Sequence, residues 1–176
     1  MRNSIYLLLL GVLLLTLALV VRSGIFASKH FDEPINSAMR SAIAEEQPEL
    51  STDEALQIDR LYPNASQFRS GLRYVIRTFG TGDAKPHPGD TVTVRYTGSL
   101  LGGSVFDSSD RHGGALTFVV GKGRVIKGWD EAILSMKKGE KRTLIVPWWL
   151  AYGAQGLPPV IPPRTTLVFE VELIAF

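Results

Sequence analysis

One stretch decides the fold: GRVIKGWDEAILSMKKG, residues 123–139. It shows the clearest helical pattern in the C-terminal half of the chain. Elsewhere in that half, hydrophobic and polar residues alternate as they do in strands. Its apolar residues recur at i, i+3, i+4 and i+7, which places four side chains on one helix face. Acidic residues lie in the expected first turn, Lys137 and Lys138 in the expected last turn, and Gly139 follows where a left-handed cap belongs. We therefore expect a short helix whose buried face is formed by Trp129, Ala132, Ile133 and Met136.

Val125 and Ile126 stand directly before this predicted helix, and both are apolar and β-branched. The first backbone N–H groups of a helix have no partner within the helix, so they are available to a ligand. The junction between these two residues and the helix is therefore a candidate binding site.

The composition of the 176-residue chain excludes several kinds of chemistry. Its 19 basic and 17 acidic residues leave a net charge of +2 without a long basic run, so a nucleic-acid partner is not indicated. The absence of cysteine excludes disulfides, thiolate metal sites and a cysteine nucleophile. The three histidines are scattered, and no phosphate loop or dinucleotide fingerprint is present. By elimination, we expect any catalysis to proceed without a metal or a cofactor.

The N-terminus carries an uncharged, leucine-rich run at residues 3–21, flanked by Arg2 and Arg22. At about 1.5 Å per residue this run spans roughly 28 Å, close to the ~30 Å hydrocarbon thickness of a bilayer. We expect residues 1–24 to form a hydrophobic helix that acts as an uncleaved signal anchor, with the rest of the chain outside the cytoplasm in a periplasmic or other extracytoplasmic space. If the segment is instead a cleaved signal peptide, the protein is secreted.

Residues 25–70 are predicted to form a partly helical linker. Apolar residues recur at helical spacing at 35–43, between Pro34 and Pro48. A second short helix is predicted to begin at Ser51, because Ser51 and Glu54 have the spacing of a capping box.

After Gly71 the hydrophobic period changes from 3.6 to 2, which is typical of strands. Strands are predicted at 72–79 and 91–100, and the alternation returns at 116–120, 144–146 and 167–173. Residues 71–176 are therefore predicted to be an α+β domain. We expect a curved antiparallel sheet of five to six strands, a half-barrel, wrapped over the one short helix.

Aromatic and apolar residues on different predicted elements remain as the candidate site. Over residues 70–176 the sequence resembles the FKBP-type peptidyl-prolyl cis-trans isomerases. The blocks that carry the resemblance are VRYTG at 94–98, FDSS at 106–109, GKGRVIKGW at 121–129, AYGA at 151–154, and IPP at 161–163 followed by TLVFEVEL at 166–173.

The resemblance implies a proline pocket between the sheet and the helix, with Trp129 as its floor. Asp107 and the Tyr152 hydroxyl would be polar groups at its rim, the Ile126 N–H would bind a substrate carbonyl, and Ile161 would line an overhanging loop. The implied walls are Tyr96, Phe106, Val125, Ile126 and Phe169. The implied activity is isomerisation of X-Pro bonds in folding proteins that are exported or membrane-associated. The implied partners are proline-containing polypeptides, with macrolides as inhibitors, and no cofactor or metal is implied.

Some positions depart from the family pattern. Leu116 stands where an aromatic residue is frequent, Leu157 where a histidine is frequent, and the link containing Trp148 and Trp149 is one residue longer. These departures keep open an alternative, a membrane-tethered chaperone module that binds proline-containing segments without catalysis. Trp148 and Trp149 would then form an exposed apolar patch.

Overall fold

The computed structural model describes residues 48–176, in which seven strands and two helices follow one another. The predicted N-terminal helix and the helical pattern at 35–43 lie outside these residues. Within 48–176, no helix combines the length and the apolar character needed to span a bilayer. The helices are α1 (Thr52–Leu61) and α2 (Lys127–Ile133), and the strands are β1 (Ser66–Gln67), β2 (Arg73–Thr78), β3 (Thr91–Leu100), β4 (Val105–Ser108), β5 (Leu116–Val119), β6 (Lys141–Val146) and β7 (Leu167–Ala175).

The strands form one antiparallel sheet in the order β1-β2-β6-β7-β3-β4, and β5 also pairs with β3. The long strand β3 pairs with β7 over most of its length. Residues 91–94 of β3 pair with β5, and residues 97–99 pair with β4. The prediction of five to six strands was too low. The strand β1 contains only two residues, too few to show an alternation, and in β4 the two apolar residues, Val105 and Phe106, are adjacent and do not alternate with polar ones.

The core lies between the sheet and α2, where the predicted alternation is confirmed. In β7, Leu167, Phe169, Val171 and Leu173 all belong to the buried core. The four predicted apolar positions of the helix region are buried as well, each with at most 4% of its surface exposed. Close contact between helix and sheet requires Gly128, because a Cβ there would lie 2.5 Å from a methyl group of Val146.

The helix α2 is shorter than predicted. It ends at Ile133, and the chain continues in turns with bonds of the i to i+3 type. Lys137 and Lys138 therefore lie beyond the helix, and their predicted place in its last turn was wrong. Gly139 does adopt the left-handed conformation, with φ of 77°, but outside the helix.

A buried ion pair explains why the helix stops. Arg142 and Glu140 are each about 5% exposed in their side chains and are joined by a 2.6 Å hydrogen bond. Arg142 also donates to the carbonyl of Ser135, and Glu140 accepts from the backbone N–H of Lys137. These two backbone groups would have to bond within the helix if it continued, so the buried pair replaces helical bonds with bonds to side chains.

The predicted helix start at Ser51 is confirmed, because its hydroxyl accepts a hydrogen bond from the Glu54 N–H. The Glu54 carboxylate does not complete the capping box. It accepts instead from the backbone N–H of Thr166, which directly precedes β7. This long-range bond connects α1 to the sheet.

The helix α1 packs on the outer face of the sheet. Its Ile58 is 1% exposed and lines a narrow crevice together with Leu50 and Ile145. Ile145 alternates in β6 with Leu144 and Val146, which belong to the core beside α2, so it points to the opposite face. Residues 49–176 thus form one compact unit, which begins well before the predicted domain start at residue 71.

If α1 is an integral part of this unit, Ile58→Ala should lower the free energy of unfolding by about 2–4 kcal/mol, because it leaves a cavity against Ile145. Urea unfolding of the full chain measures this. Leu56→Ala is the matched control: Leu56 is 59% exposed on the same helix, so its loss should cost less than ~0.5 kcal/mol beyond the change in helix propensity. Equal effects of the two substitutions would show that α1 does not pack on the sheet.

Candidate functional site

A cavity of about 190 Å³ lies between the start of α2 and the inner face of the sheet. Strands β3, β4, β5 and β7 each contribute at least one side chain to its lining. Eight of the nine site residues predicted from the sequence meet here, namely Tyr96, Phe106, Asp107, Val125, Ile126, Trp129, Tyr152 and Phe169. Residues that are distant in sequence therefore converge on one site.

Trp129 forms the floor of this cavity and is 4% exposed. Tyr96 and Phe169 meet its indole edge-to-face, with ring centroids 5.0 and 5.2 Å away. Phe118 lies 6.2 Å away in a tilted arrangement. The indole Nε1 forms no hydrogen bond to any residue between 48 and 176. Aromatic packing alone therefore fixes this ring.

Gly98 in β3 allows the wall of the cavity to close. Phe106 and Phe169 pack edge-to-face, with centroids 5.7 Å apart and an interplanar angle of 88°. A Cβ at position 98 would lie 2.8 Å from carbon atoms of both rings, which is closer than side chains can approach. Only glycine leaves room for this pair of rings.

The polar part of the rim is centred on Asp107. The Tyr96 hydroxyl donates to its Oδ2 at 2.7 Å, and the Ser108 N–H donates to its Oδ1 at 2.8 Å. His112 Nε2 also lies 2.8 Å from Oδ1. Because an ionised carboxylate can only accept, Nε2 must carry the proton in this contact. Three donors therefore hold the carboxylate in place.

These contacts determine which polar side chains at the rim carry a proton. Burial alone would raise the pKa of Asp107, but the hydrogen bonds from Tyr96, His112 and Ser108 outweigh it and lower that pKa. Burial, reinforced by the hydrogen bond to Asp107, raises the pKa of Tyr96. Burial and the nearby charge of Asp107 likewise raise the pKa of Tyr152. At neutral pH the rim thus contains one carboxylate and two protonated hydroxyls.

Two donors at the cavity are free to bind a ligand. The Tyr152 hydroxyl, on a side chain that is 38% exposed, makes no hydrogen bond within residues 48–176. The Ile126 carbonyl accepts from Trp129 and Asp130 at the start of α2, whereas the Ile126 N–H makes no hydrogen bond in this part of the chain. Both donors belong to residues that line the cavity.

Ile161 does not line the cavity, unlike the other predicted site residues. It is 1% exposed and belongs to the core, and both its N–H and its carbonyl bond to Leu157. It therefore supports the loop from below. The large apolar side chains that this loop exposes are Leu157 and Val160, each 48% exposed.

Trp148 and Trp149 do not form the exposed patch considered above. Both are half-buried. The Trp149 indole N–H donates to the Ser70 carbonyl at 3.0 Å, and the Arg164 guanidinium lies 5.6 Å from the centre of the Trp148 ring. These rings are occupied by structural contacts.

Three residues at the site were not recognised as site residues from the sequence. Leu116 is 38% exposed and lines the cavity, and Arg124 lines it as well. His112 contacts the rim carboxylate although its position in the sequence indicates no metal or catalytic site. The only available signal was its separation from Asp107 by five residues, which a 3₁₀ turn (Ser109–His112) converts into contact.

Comparison with known proteins agrees with this geometry. The sequence model of the family described as FKBP-type peptidyl-prolyl cis-trans isomerase matches residues 82–174. FK506-binding protein 1A of Emericella nidulans is 54% identical over 101 residues, covering 56% of this chain and 94% of that protein. Peptidyl-prolyl cis-trans isomerase FPR2 of Saccharomyces cerevisiae is 57% identical over 91 residues, covering 51% of this chain and 67% of that protein. The crystal structure of AtFKBP13 matches with a TM-score of 0.61 and 40% identity, over 64% of this chain and 98% of that one.

The three hydrogen bonds to Asp107 predict at which pH its carboxyl group titrates in the folded protein. In the folded protein its carboxyl should titrate below the ordinary pKa of 3.8. Because the folded pKa lies below the unfolded one, Asp107 contributes stability at pH values above 3.8, and that stability is lost as the pH falls through the folded pKa. Tyr96→Phe removes one donor, so it should raise the pKa of Asp107.

Carboxyl ¹³C NMR titration of the full chain measures this pKa. Tyr74→Phe is the matched control, because it also removes one phenolic hydroxyl but belongs to β2, away from the cavity. An unchanged Asp107 titration in Tyr96→Phe would contradict the assigned hydrogen bond.

Proposed function

The chain belongs to the FKBP-type peptidyl-prolyl cis-trans isomerases, and we propose that its X-Pro substrates bind in the cavity over Trp129. The observation that carries this assignment is the convergence of eight predicted residues around one aromatic cavity. Two unoccupied donors at its edge, the Ile126 N–H and the Tyr152 hydroxyl, match the carbonyl groups of a peptide.

The chemistry of the X-Pro amide explains how such a cavity can act without a covalent step. Amide resonance opposes rotation with a barrier of roughly 18–20 kcal/mol. In the twisted transition state this resonance is lost, and much of the charge separation of the amide is lost with it. An apolar aromatic cavity therefore binds the twisted form better than the planar, more dipolar ground state. A barrier lowered by about 7–8 kcal/mol corresponds to an acceleration on the order of 10⁵–10⁶-fold.

The polar groups at the rim take different roles in this proposal. The Ile126 N–H and the Tyr152 hydroxyl donate to substrate carbonyls and so fix the chain on either side of the rotating bond. Asp107 accepts three hydrogen bonds from the protein, so in this proposal it orients Tyr96 and holds the aromatic wall. Trp129 supplies the surface against which the proline ring packs.

Isomerisation of a short X-Pro peptide, followed by exchange NMR with the full chain, tests this assignment. A variant combining Tyr152→Phe, Asp107→Val and Trp129→Leu should lose at least about 100-fold in kcat/KM, because it removes a donor, the rim carboxylate and the floor. Since Trp129 is buried, Tyr152→Phe alone provides the variant least prone to unfolding. It should lose about five-fold, the equivalent of one neutral hydrogen bond of ~1 kcal/mol.

The matched control for the carboxylate is Asp110→Val, which removes an exposed acidic group three residues from Asp107 without touching the cavity. It should retain the wild-type rate. Wild-type rates from the triple variant would refute the assigned site. FK506, for which the Emericella relative is named, should compete with the peptide if the cavity also accepts macrolides.

The second candidate function is a chaperone module that holds proline-containing segments without catalysis. The buried contacts of Trp148 and Trp149 remove one of its two motivations. The other remains, because the altered loop exposes apolar surface at Leu157 and Val160. Peptide binding without acceleration would favour this candidate.

We further propose that the substrates are exported or membrane-associated proteins. The support is the uncharged run at residues 3–21, whose length suits a retained signal anchor. With such an anchor the isomerase unit would lie outside the cytoplasm and act on chains folding there.

The proposed anchor predicts that the full chain stays with membranes after carbonate washing and that its intact mass includes residues 1–24. Leu13→Asp should release it, because a carboxylate near the centre of a span costs roughly 2.5–3.5 kcal/mol, whereas Leu13→Val is the matched apolar control. A mature mass lacking these residues would replace the anchor with a cleaved signal and make the protein secreted.

A further inference from the structure

Arg124 contributes the only cationic side chain among the residues that line the cavity. The other charged lining residue, Asp107, accepts hydrogen bonds from three donors of the protein. Arg124 is exposed and forms no ion pair within the part of the chain that the structure describes. One residue of the cavity lining therefore carries a guanidinium group that has no carboxylate partner within residues 48–176.

The backbone that presents Arg124 is held in place by Asp130. Its Oδ1 accepts from the Gly121 N–H at 2.8 Å, and its Oδ2 accepts from the Gly123 N–H at 2.9 Å. Gly123 has a φ of 65°, which favours glycine at this turn. Both oxygens of the nearest acidic residue in sequence are thus engaged by backbone groups. The loop delivers Arg124 to the cavity edge in a defined position.

Two further cations lie close to Arg124 in the sequence. Lys122 and Lys127 are exposed on the same segment, and the Asp130 carboxylate that faces this loop is held by the N–H groups of Gly121 and Gly123. Lys122 does not line the cavity, and its Cε lies 3.7 Å from where a Cβ would stand on Gly89, in a separate turn. Of these three cationic residues, only Arg124 lines the cavity.

We propose that Arg124 is a specificity-determining residue that favours substrates with an acidic side chain next to the proline. A guanidinium matches a carboxylate in geometry and can donate two parallel hydrogen bonds to it. A substrate proline placed over Trp129 brings its neighbouring residues to the cavity edge, where Arg124 stands. This inference rests on the proposed function of the cavity and narrows its substrate class.

The expected preference is modest because the contact is exposed to solvent. Ion pairs at protein surfaces change equilibria by up to about five-fold. We expect kcat/KM for a peptide with Glu beside proline to exceed that for the Lys peptide by about three- to five-fold at low ionic strength. The preference should shrink at high salt, where exposed charges are screened.

The test uses the full chain and three otherwise identical peptides with Glu, Gln or Lys on either side of the proline, followed by exchange NMR. The measured quantity is the ratio of kcat/KM for the Glu peptide to that for the Lys peptide. Arg124→Gln should bring this ratio close to one, and Arg124→Glu should invert it. Lys122→Glu is the matched control, with the same change of charge on the same loop, and should leave the ratio near the wild-type value.

The outcomes separate this inference from the function on which it rests. If the Gln peptide is accelerated but the ratio is the same in wild type and Arg124→Glu, the specificity role is wrong and the isomerase site stands. Equal shifts in Lys122→Glu and Arg124→Glu would assign the preference to the general field of the loop and also overturn the role of Arg124. If the Gln peptide is not accelerated at all, the proposed function fails together with the inference.

Discussion

The packing of the Trp129 indole between strands and cavity is the contact on which the rest of the structure depends. The ring is part of the hydrophobic core and also the floor of the cavity. Its edge-to-face partners, Tyr96 and Phe169, come from β3 and β7, whose register places Gly98 opposite Phe169. A slip of one residue in this ladder would turn Phe169 to the outer face and remove a wall. The geometry of the site therefore depends on the register of the sheet.

The rim separates two kinds of polar group. The single carboxylate is satisfied by Tyr96, Ser108 and His112, so it has little remaining capacity to compete for substrate N–H groups. The donors of Ile126 and Tyr152 remain unpaired within residues 48–176. A site with saturated acceptors and free donors suits a ligand rich in carbonyl groups. The flanks of an X-Pro bond have this character, because proline itself contributes no backbone N–H.

The sequence predicted the elements whose hydrophobic residues recur with a regular period. Hydrophobic alternation located β2, β3, β5, β6 and β7, and the helical period found the buried face of α2. Predictions failed where a long-range bond determines the local structure. The end of α2 depends on the buried pair of Arg142 and Glu140, and the orientation of Glu54 depends on the distant Thr166. Such contacts produce no periodic pattern in the amino-acid sequence. The burial of Ile161 and the contact of His112 with Asp107 were not predicted for the same reason, since each depends on how a loop folds back.

The outer face of the sheet has a separate role from the inner one. The family match begins at residue 82, yet α1, β1 and β2 precede it, and Leu72 is fully buried in the common core. Through Ile58 the helix α1 covers Ile145, and through Glu54 it bonds to the residue that precedes β7, the strand that carries Phe169. It therefore supports a cavity wall from behind without contributing to the cavity lining.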